Sequence, residues 1–400
     1  HHPWLWYNRY YFCLVHIMGN KGTVTDTDVL MDMSVLKKYI GGRTALVAQG
    51  GGQRGIFTSG VLDAFLLNNF DPFTSFYGTS AGALNLCAFL CRQRGIGRSF
   101  ILDLTTDPKF FHLFRFIRRK QFLDLDWALD KISCPPYLLD IETGRHVLGN
   151  RNAYAAVTDT HRLMDHYLPM FDHDWRQVLV ATCAIPRLYH QPIRFPHGEY
   201  VDGGVSATIP VQEAWRKEAR CIIVIRTEGE DISGNDNEIE QANFSNWQTT
   251  VLNTLHERWQ DKLERLKNRW AQFFSEQLVR VSQESEIKDQ RDALSGGRWL
   301  FGADDVYRLS HLLGDKFDSG LADMLAVHYQ TYSLTQSFLQ SPPDDCFIIQ
   351  IKPSRLLRSS SLLSNKDELL SDYELGLEAG QRFVDSFSKC LFERAIEENK

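Results

Sequence analysis

The chain has 400 residues, 43% of them hydrophobic and 24% charged, with a formal net charge of -6. That length buries a large core without staples, and the acidic balance excludes a general nucleic-acid binder, whose phosphate contacts need surplus Lys and Arg. Eight scattered cysteines (Cys13, Cys87, Cys91, Cys134, Cys183, Cys221, Cys346, Cys390) contain no CxxC pair, so neither zinc nor a disulfide framework is expected, and a reducing compartment suits them.

In chain order, residues 4–17 form an aromatic-rich run broken by Asn8, Arg9 and His16. It is too short for a membrane span and lacks the basic start and small-residue cleavage site of a signal peptide. Residues 1–40 are therefore set apart as an extension whose place in the native structure is open. Its first residues read as upstream translation or a tag remnant, with Met18, Met31 or Met33 as the start; a membrane-surface anchor is the rival reading. Residues 44–48 predict a buried strand, residues 50–55 a glycine-rich turn, and residues 56–67 a helix. Residues 74–77 predict a second strand and residues 81–90 a buried helix. Strand–turn–helix twice over is the rhythm of a parallel sheet covered by helices.

Further strands are expected at residues 178–182, 200–201, 222–226 and 347–351, on their β-branched content. Residues 109–120 mix Phe and Ile with Arg and Lys, which suits a lipid-facing helix or, more plainly, a helix with one core face and one solvated face. Residues 228–240 read as a linker. Residues 243–339 are helical in pattern, without a legible motif; a lid, a dimer surface and a partner site are all open for them. Residues 367–398 predict a closing helix. The expected division is an extension (1–40), a catalytic core (41–228), a mainly helical region (229–345), and a last strand and helix packed on the core (346–400).

Three segments carry chemistry. Gly78-Thr79-Ser80-Ala81-Gly82 fits G-x-S-x-G where a strand meets a helix. There a Ser stands on a tight turn, both flanks must lack side chains, and the helix N-terminus favours negative charge. The plain alternative is a turn whose glycines serve packing. Gly50-Gly51-Gly52-Gln53-Arg54-Gly55 also joins a strand to a helix; consecutive glycines aim amides at one point, as an oxyanion needs. The same glycines satisfy a dinucleotide fingerprint, which wants an acid at the end of the next strand. Asp71 lies near that distance but precedes the strand. Finally, a strand delivers Asp202 into Gly203-Gly204. A half-buried Asp can take a serine proton; a turn-capping Asp is the bland reading. A Ser-His-Asp triad would need His256, His311 or His328, all in helical patterns, while His190 and His197 lie in a loop suited to a substrate mouth.

Together these segments, with the block Ala181-Thr182-Cys183-Ala184-Ile185-Pro186 and Pro210, resemble the patatin-like phospholipase family, in its bacterial branch, over about residues 43–228. The resemblance implies a three-layer α/β/α fold with a mainly parallel sheet and a C-terminal helical addition. It implies a Ser80–Asp202 dyad without His, an oxyanion hole in the Gly50–Gly55 loop, no metal and no cofactor. The substrate class is phospholipid or another acyl ester, in the cytoplasm, with surface contact to membranes expected. Thr208 departs from the family, which often has Asn there. Two rivals are an inactive lipid-binding scaffold of the same fold and a dinucleotide-binding oxidoreductase.

Overall fold

The computed structural model describes residues 19–110, 124–186, 189, 191–229, 319–359 and 364–399. Ten strands form one sheet in the order β2-β1-β10-β9-β3-β4-β5-β8-β7, with β6 also paired to β5. They are β1 (Lys21–Val24), β2 (Val29–Met31), β3 (Thr44–Ala48), β4 (Ser75–Thr79), β5 (Asn152–Asp159), β6 (Asp165–Pro169), β7 (Ile193–Phe195), β8 (Gly198–Asp202), β9 (Cys221–Ile225) and β10 (Phe347–Ile351). The run β1-β10-β9-β3-β4-β5 is parallel, and the pairs β1–β2, β5–β6, β5–β8 and β7–β8 are antiparallel.

Both faces of the central strands are covered, which is why they read as mostly apolar runs without strict alternation. Every residue of β3 and β9 is buried. Successive side chains alternate between two cores. Leu46 and Ala48, Ile223 and Ile225, and Ile349 and Ile351 point into one core; Ala45 and Val47, Ile222 and Val224, and Ile348 point into the other. On the first face lie α1 (Gly55–Leu67), α2 (Ala81–Leu90) and the long α8 (Lys366–Glu398); on the second lie α6 (Val211–Arg216) and the end of α7 (Ser319–Gln340). Shorter helices α3 (Leu125–Lys131), α4 (Ile141–Leu148) and α5 (Trp175–Cys183) complete the shell. This is the three-layer α/β/α arrangement with a mainly parallel sheet and a C-terminal helical addition.

α8 begins at a capping box in which Asn365 and Glu368 each hold the other's backbone amide, so two orphan donors of its first turn are satisfied. It then packs along α1, where Phe383 and Phe387 join Phe65 and Phe70 in a cluster with ring centroids 5.2–5.8 Å apart. Each such ring, fully buried, contributes roughly 1.5–3 kcal/mol.

Residues 178–182, expected as a strand, lie in α5. Their β-branched residues cost a helix only tenths of a kcal/mol each, and burial of residues 178–183 on the sheet outweighs that. Residues 21–31, set apart in the extension, supply β1 and β2 at the sheet's edge. β10 is an inner strand between β1 and β9. The expected basic aromatic helix and most of the expected linker and helical region (residues 111–123 and 230–318) lie outside the described residues.

Candidate active site

The loop after β3 and the turn after β4 are adjacent because their strands pair in parallel, so both present their following helices at the same edge of the sheet. Ser80 stands between β4 and α2 with φ 53° and ψ -123°, a conformation that costs a non-glycine residue roughly 1–3 kcal/mol and persists only where neighbours impose it. The neighbours are visible. The Ser80 amide donates to Thr182 Oγ1 at 2.9 Å, and that hydroxyl donates to the Ala156 carbonyl at 2.6 Å. Thr79 Oγ1 donates to the Ala207 carbonyl at 2.6 Å. A Cβ at Gly82 would sit 2.5 Å from the Ala48 carbonyl oxygen, so the first turn of α2 rests directly on the end of β3. The amides of Ala81 and Gly82, at the head of α2, meet no backbone acceptor among the described residues.

The glycine loop is partly engaged already. The Gly50 amide donates to the Thr208 carbonyl at 3.0 Å and the Arg54 amide to the Gly51 carbonyl at 3.2 Å. The Gly55 amide bonds back to Gln53 and Gly52. Among the described residues, this leaves the amides of Gly51, Gly52 and Gln53 as the loop's donors without a backbone acceptor. Gly52 has φ 57°, which turns successive amides the same way. The buried Gln53 side chain pins the loop, donating to Thr105 Oγ1 at 3.1 Å and accepting from the Ser364 amide at 2.8 Å. Arg54 is buried as well.

Asp202 arrives from the other direction. It ends β8, whose antiparallel pairing sets it opposite Val157 of β5; β5 itself runs beside β4. Its carbonyl accepts from Thr158 Oγ1 at 2.9 Å, and its amide donates to Ala184 O at 3.0 Å. The Gly204 amide donates to Asp202 Oδ1 at 2.6 Å. Gly203 lies so close to β5 that a Cβ there would be 2.2 Å from the Ala156 carbonyl oxygen. Ser80 is 7% exposed and Asp202 3%. Burial pushes the Asp202 carboxyl up to about 7, against the opposing effect of hydrogen bonds from the Gly204 amide and the Ser80 side chain. Such a carboxyl is half-ionised near neutrality and can accept a proton. Burial also pushes the neighbouring Cys183 thiol up, so it stays protonated.

Sequence reasoning named Ser80, Asp202, Gly78, Gly82, Gly203, Gly204 and the Gly50–Gly55 loop, and the structure gathers all of them at one end of the sheet. It missed Thr182, although that residue sits in the short block beside Pro186. It also missed the buried Arg226, whose guanidinium reaches Gln49 Oε1 (2.9 Å), Gln350 Oε1 (2.6 Å) and Glu228 Oε2 (3.3 Å) beneath the glycine loop. His328 is buried, but its Nδ1 lies 2.8 Å from the Gly204 carbonyl oxygen, so that nitrogen donates to backbone and not to a carboxylate. His197 bonds Tyr200 through Nδ1 in the β7–β8 hairpin. His190, His256 and His311 lie outside the described residues. No described helix is long and apolar enough to cross a membrane, and no group of three or more metal-ligating side chains occurs among the described residues.

A family model described as patatin-like phospholipase matches residues 46–215, and one for a domain of unknown function matches residues 318–392. The uncharacterized protein YjjU of Escherichia coli (strain K12) is 31% identical over 363 residues, covering 90% of this chain and 82% of that protein. The crystal structure of VipD from Legionella pneumophila aligns with 14% identity over 86% of this chain and 67% of that one, at a TM-score of 0.36.

Proposed function

The chain belongs to the patatin-like phospholipase family, and on that footing we propose that it is a serine lipid acyl hydrolase working through Ser80 and Asp202. The observation that carries the reading is the strained Ser80 turn set beside the buried Asp202 carboxyl, whose proton affinity the Ser80 side chain lowers. Ser80 Oγ attacks the acyl carbonyl carbon while Asp202 takes the hydroxyl proton. The carbonyl oxygen gains negative charge and is met by the amides of Gly51, Gly52 and Gln53, beside the N-terminus of α2. Collapse of the adduct breaks the ester bond, and the leaving alcohol takes the proton back from Asp202. Water then gives a proton to Asp202 and attacks the acyl-enzyme, which releases the fatty acid and restores Ser80. The substrate is a phospholipid or another acyl ester, reached by peripheral contact with a lipid surface in the cytoplasm.

The dinucleotide reading of the glycine loop lacks support, because the next strand ends in Gly78-Thr79 and the Ser80 turn where that site needs an acid. Treatment with a fluorophosphonate followed by peptide mapping tests the proposal. Labelling is expected at Ser80, absent in Ser80→Ala and slowed at least about 100-fold in Asp202→Ala, the range of general-base contributions. Turnover of an acyl ester by Ser80→Ala at the wild-type rate would refute it.

A further inference from the structure

The segment matching the domain of unknown function holds α7, β10 and α8, and its contacts reach both loops of the site. From α7, His328 is completely buried. Its Nδ1 is 2.8 Å from the Gly204 carbonyl oxygen. A carbonyl only accepts, so Nδ1 carries the proton and donates. Burial holds the imidazole down at about 3, which keeps the ring neutral and that proton in one place. Thr208 Oγ1 donates to the same carbonyl at 3.0 Å. Gly204 is also the residue whose amide fixes one oxygen of Asp202. One turn along α7, Tyr332 packs against the His328 ring with centroids 5.7 Å apart and reaches Arg226 Nη2 at 3.3 Å. Arg226 in turn holds Gln49, next to Gly50. From the start of α8, the Ser364 amide holds Gln53 of the glycine loop.

We propose that this C-terminal segment is a working part of the hydrolytic site, with His328 as a positioning residue that fixes the Asp202-Gly203-Gly204 turn; the proposal rests on the Ser80–Asp202 reading above. The physical reason is the shape of the turn. Gly203–Val205 is a single 3-10 turn, and its glycines have no side chains to anchor them. Within residues 203–208 the Gly203 carbonyl accepts from the Ser206 and Ala207 amides and the Gly204 carbonyl from Thr208 Oγ1. His328 is the donor to the Gly204 carbonyl from outside that segment, and without it the Gly204–Val205 peptide pivots about the Thr208 bond alone. The Gly204 carbonyl and the Gly204 amide flank one glycine Cα, whose backbone rotates freely. A pivot of the Gly204–Val205 peptide is therefore passed through that Cα to the amide that orients the carboxyl of Asp202, and the oxygen facing Ser80 moves out of line. Misplacement of a reacting group by about 1 Å costs on the order of 100-fold in rate, without weakening the grip on substrate. His328 therefore acts on kcat through Asp202 and touches no substrate itself.

The test compares the full chain with His328→Leu and His328→Asn. Leu removes the donor at similar volume, and Asn returns an N–H near the Nδ1 position. Three readouts are taken: hydrolysis of 4-nitrophenyl butyrate, the rate of fluorophosphonate labelling, and hydrogen exchange of the peptide spanning residues 202–208. His328→Leu is expected to lower kcat and the labelling rate at least about 10-fold with KM unchanged, and to speed exchange of that peptide. His328→Asn is expected to recover most of both. If the Leu variant does not fold, His328→Gln, whose amide reaches the Nε2 position, replaces it and is expected to fall well below Asn. Wild-type labelling in the variant without the donor, or equal losses in both variants, overturns the proposal. A wild type that neither labels nor hydrolyses the ester overturns the hydrolytic reading and the catalytic role of His328 with it. In that case exchange decides whether His328 clamps the turn, faster exchange upholding the clamp and unchanged exchange overturning it.

Discussion

Asp202 should tax the fold in the pH range where it would act as a base. Its carboxyl is pushed up to about 7 from an ordinary value of 3.8. A carboxyl with a raised value is held protonated in the folded state to a higher pH than in the unfolded chain. Between the two values the folded state therefore binds more protons, and stability falls as pH rises. The penalty is absent below about pH 4 and complete above about pH 7. At about 1.4 kcal/mol per unit, roughly three units amount to about 4 kcal/mol. Asp202→Asn carries no charge at any of these pH values, so it removes the pH-dependent part alone. Urea unfolding of both proteins at pH 5, 6, 7 and 8 measures it. The stability of Asp202→Asn relative to wild type should grow by about 2–3 kcal/mol from pH 5 to pH 8. In wild type, labelling of Ser80 should rise through the same window, as the carboxyl loses its proton. A stability difference that does not change with pH would refute the burial argument, whatever the activity of either protein.

Two further substitutions test how the turns are held. Thr182→Val deprives the buried Ser80 amide of its acceptor; it should cost about 1–3 kcal/mol in urea unfolding and slow labelling, and wild-type values in both would show that Ser80 is held by other contacts. Gly203→Ala places a Cβ 2.2 Å from the Ala156 carbonyl oxygen, so the turn must leave β5; a lower melting temperature and labelling slowed about 10-fold or more are expected, and unchanged labelling would mean that Asp202 tolerates a shift of its strand.

Much of this was legible from the residues. The runs at Thr44–Ala48, Ala81–Leu90 and Phe347–Ile351 announce themselves because burial leaves each of them a single polar position (Thr44, Asn85 and Gln350), and glycines mark the turns after Ala48 and Thr79 where backbones meet. The strands β5 to β8 were harder. Apart from residues 200–201, placed in β8, they are amphipathic or end in loops, and their β character comes from pairing with each other, not from composition. Residues 178–182 carried a strand's composition into a helix for the same reason: a neighbouring surface, not propensity, decided the outcome.

The sequence by itself determined the chemistry that is available: a Ser between glycines, a loop of glycines with amides to offer, and an Asp followed by two glycines. Short-range sterics set those features, and short-range sterics are written in adjacent residues. Only the tertiary structure decided that Asp202 is buried beside Ser80, that Thr182 receives the Ser80 amide, and that His328 from the far end of the chain closes on Gly204. Each of these is a contact between residues far apart in the chain, brought together by strand order in one sheet. Burial of a charge, and hence its proton affinity, exists only after that sheet has formed.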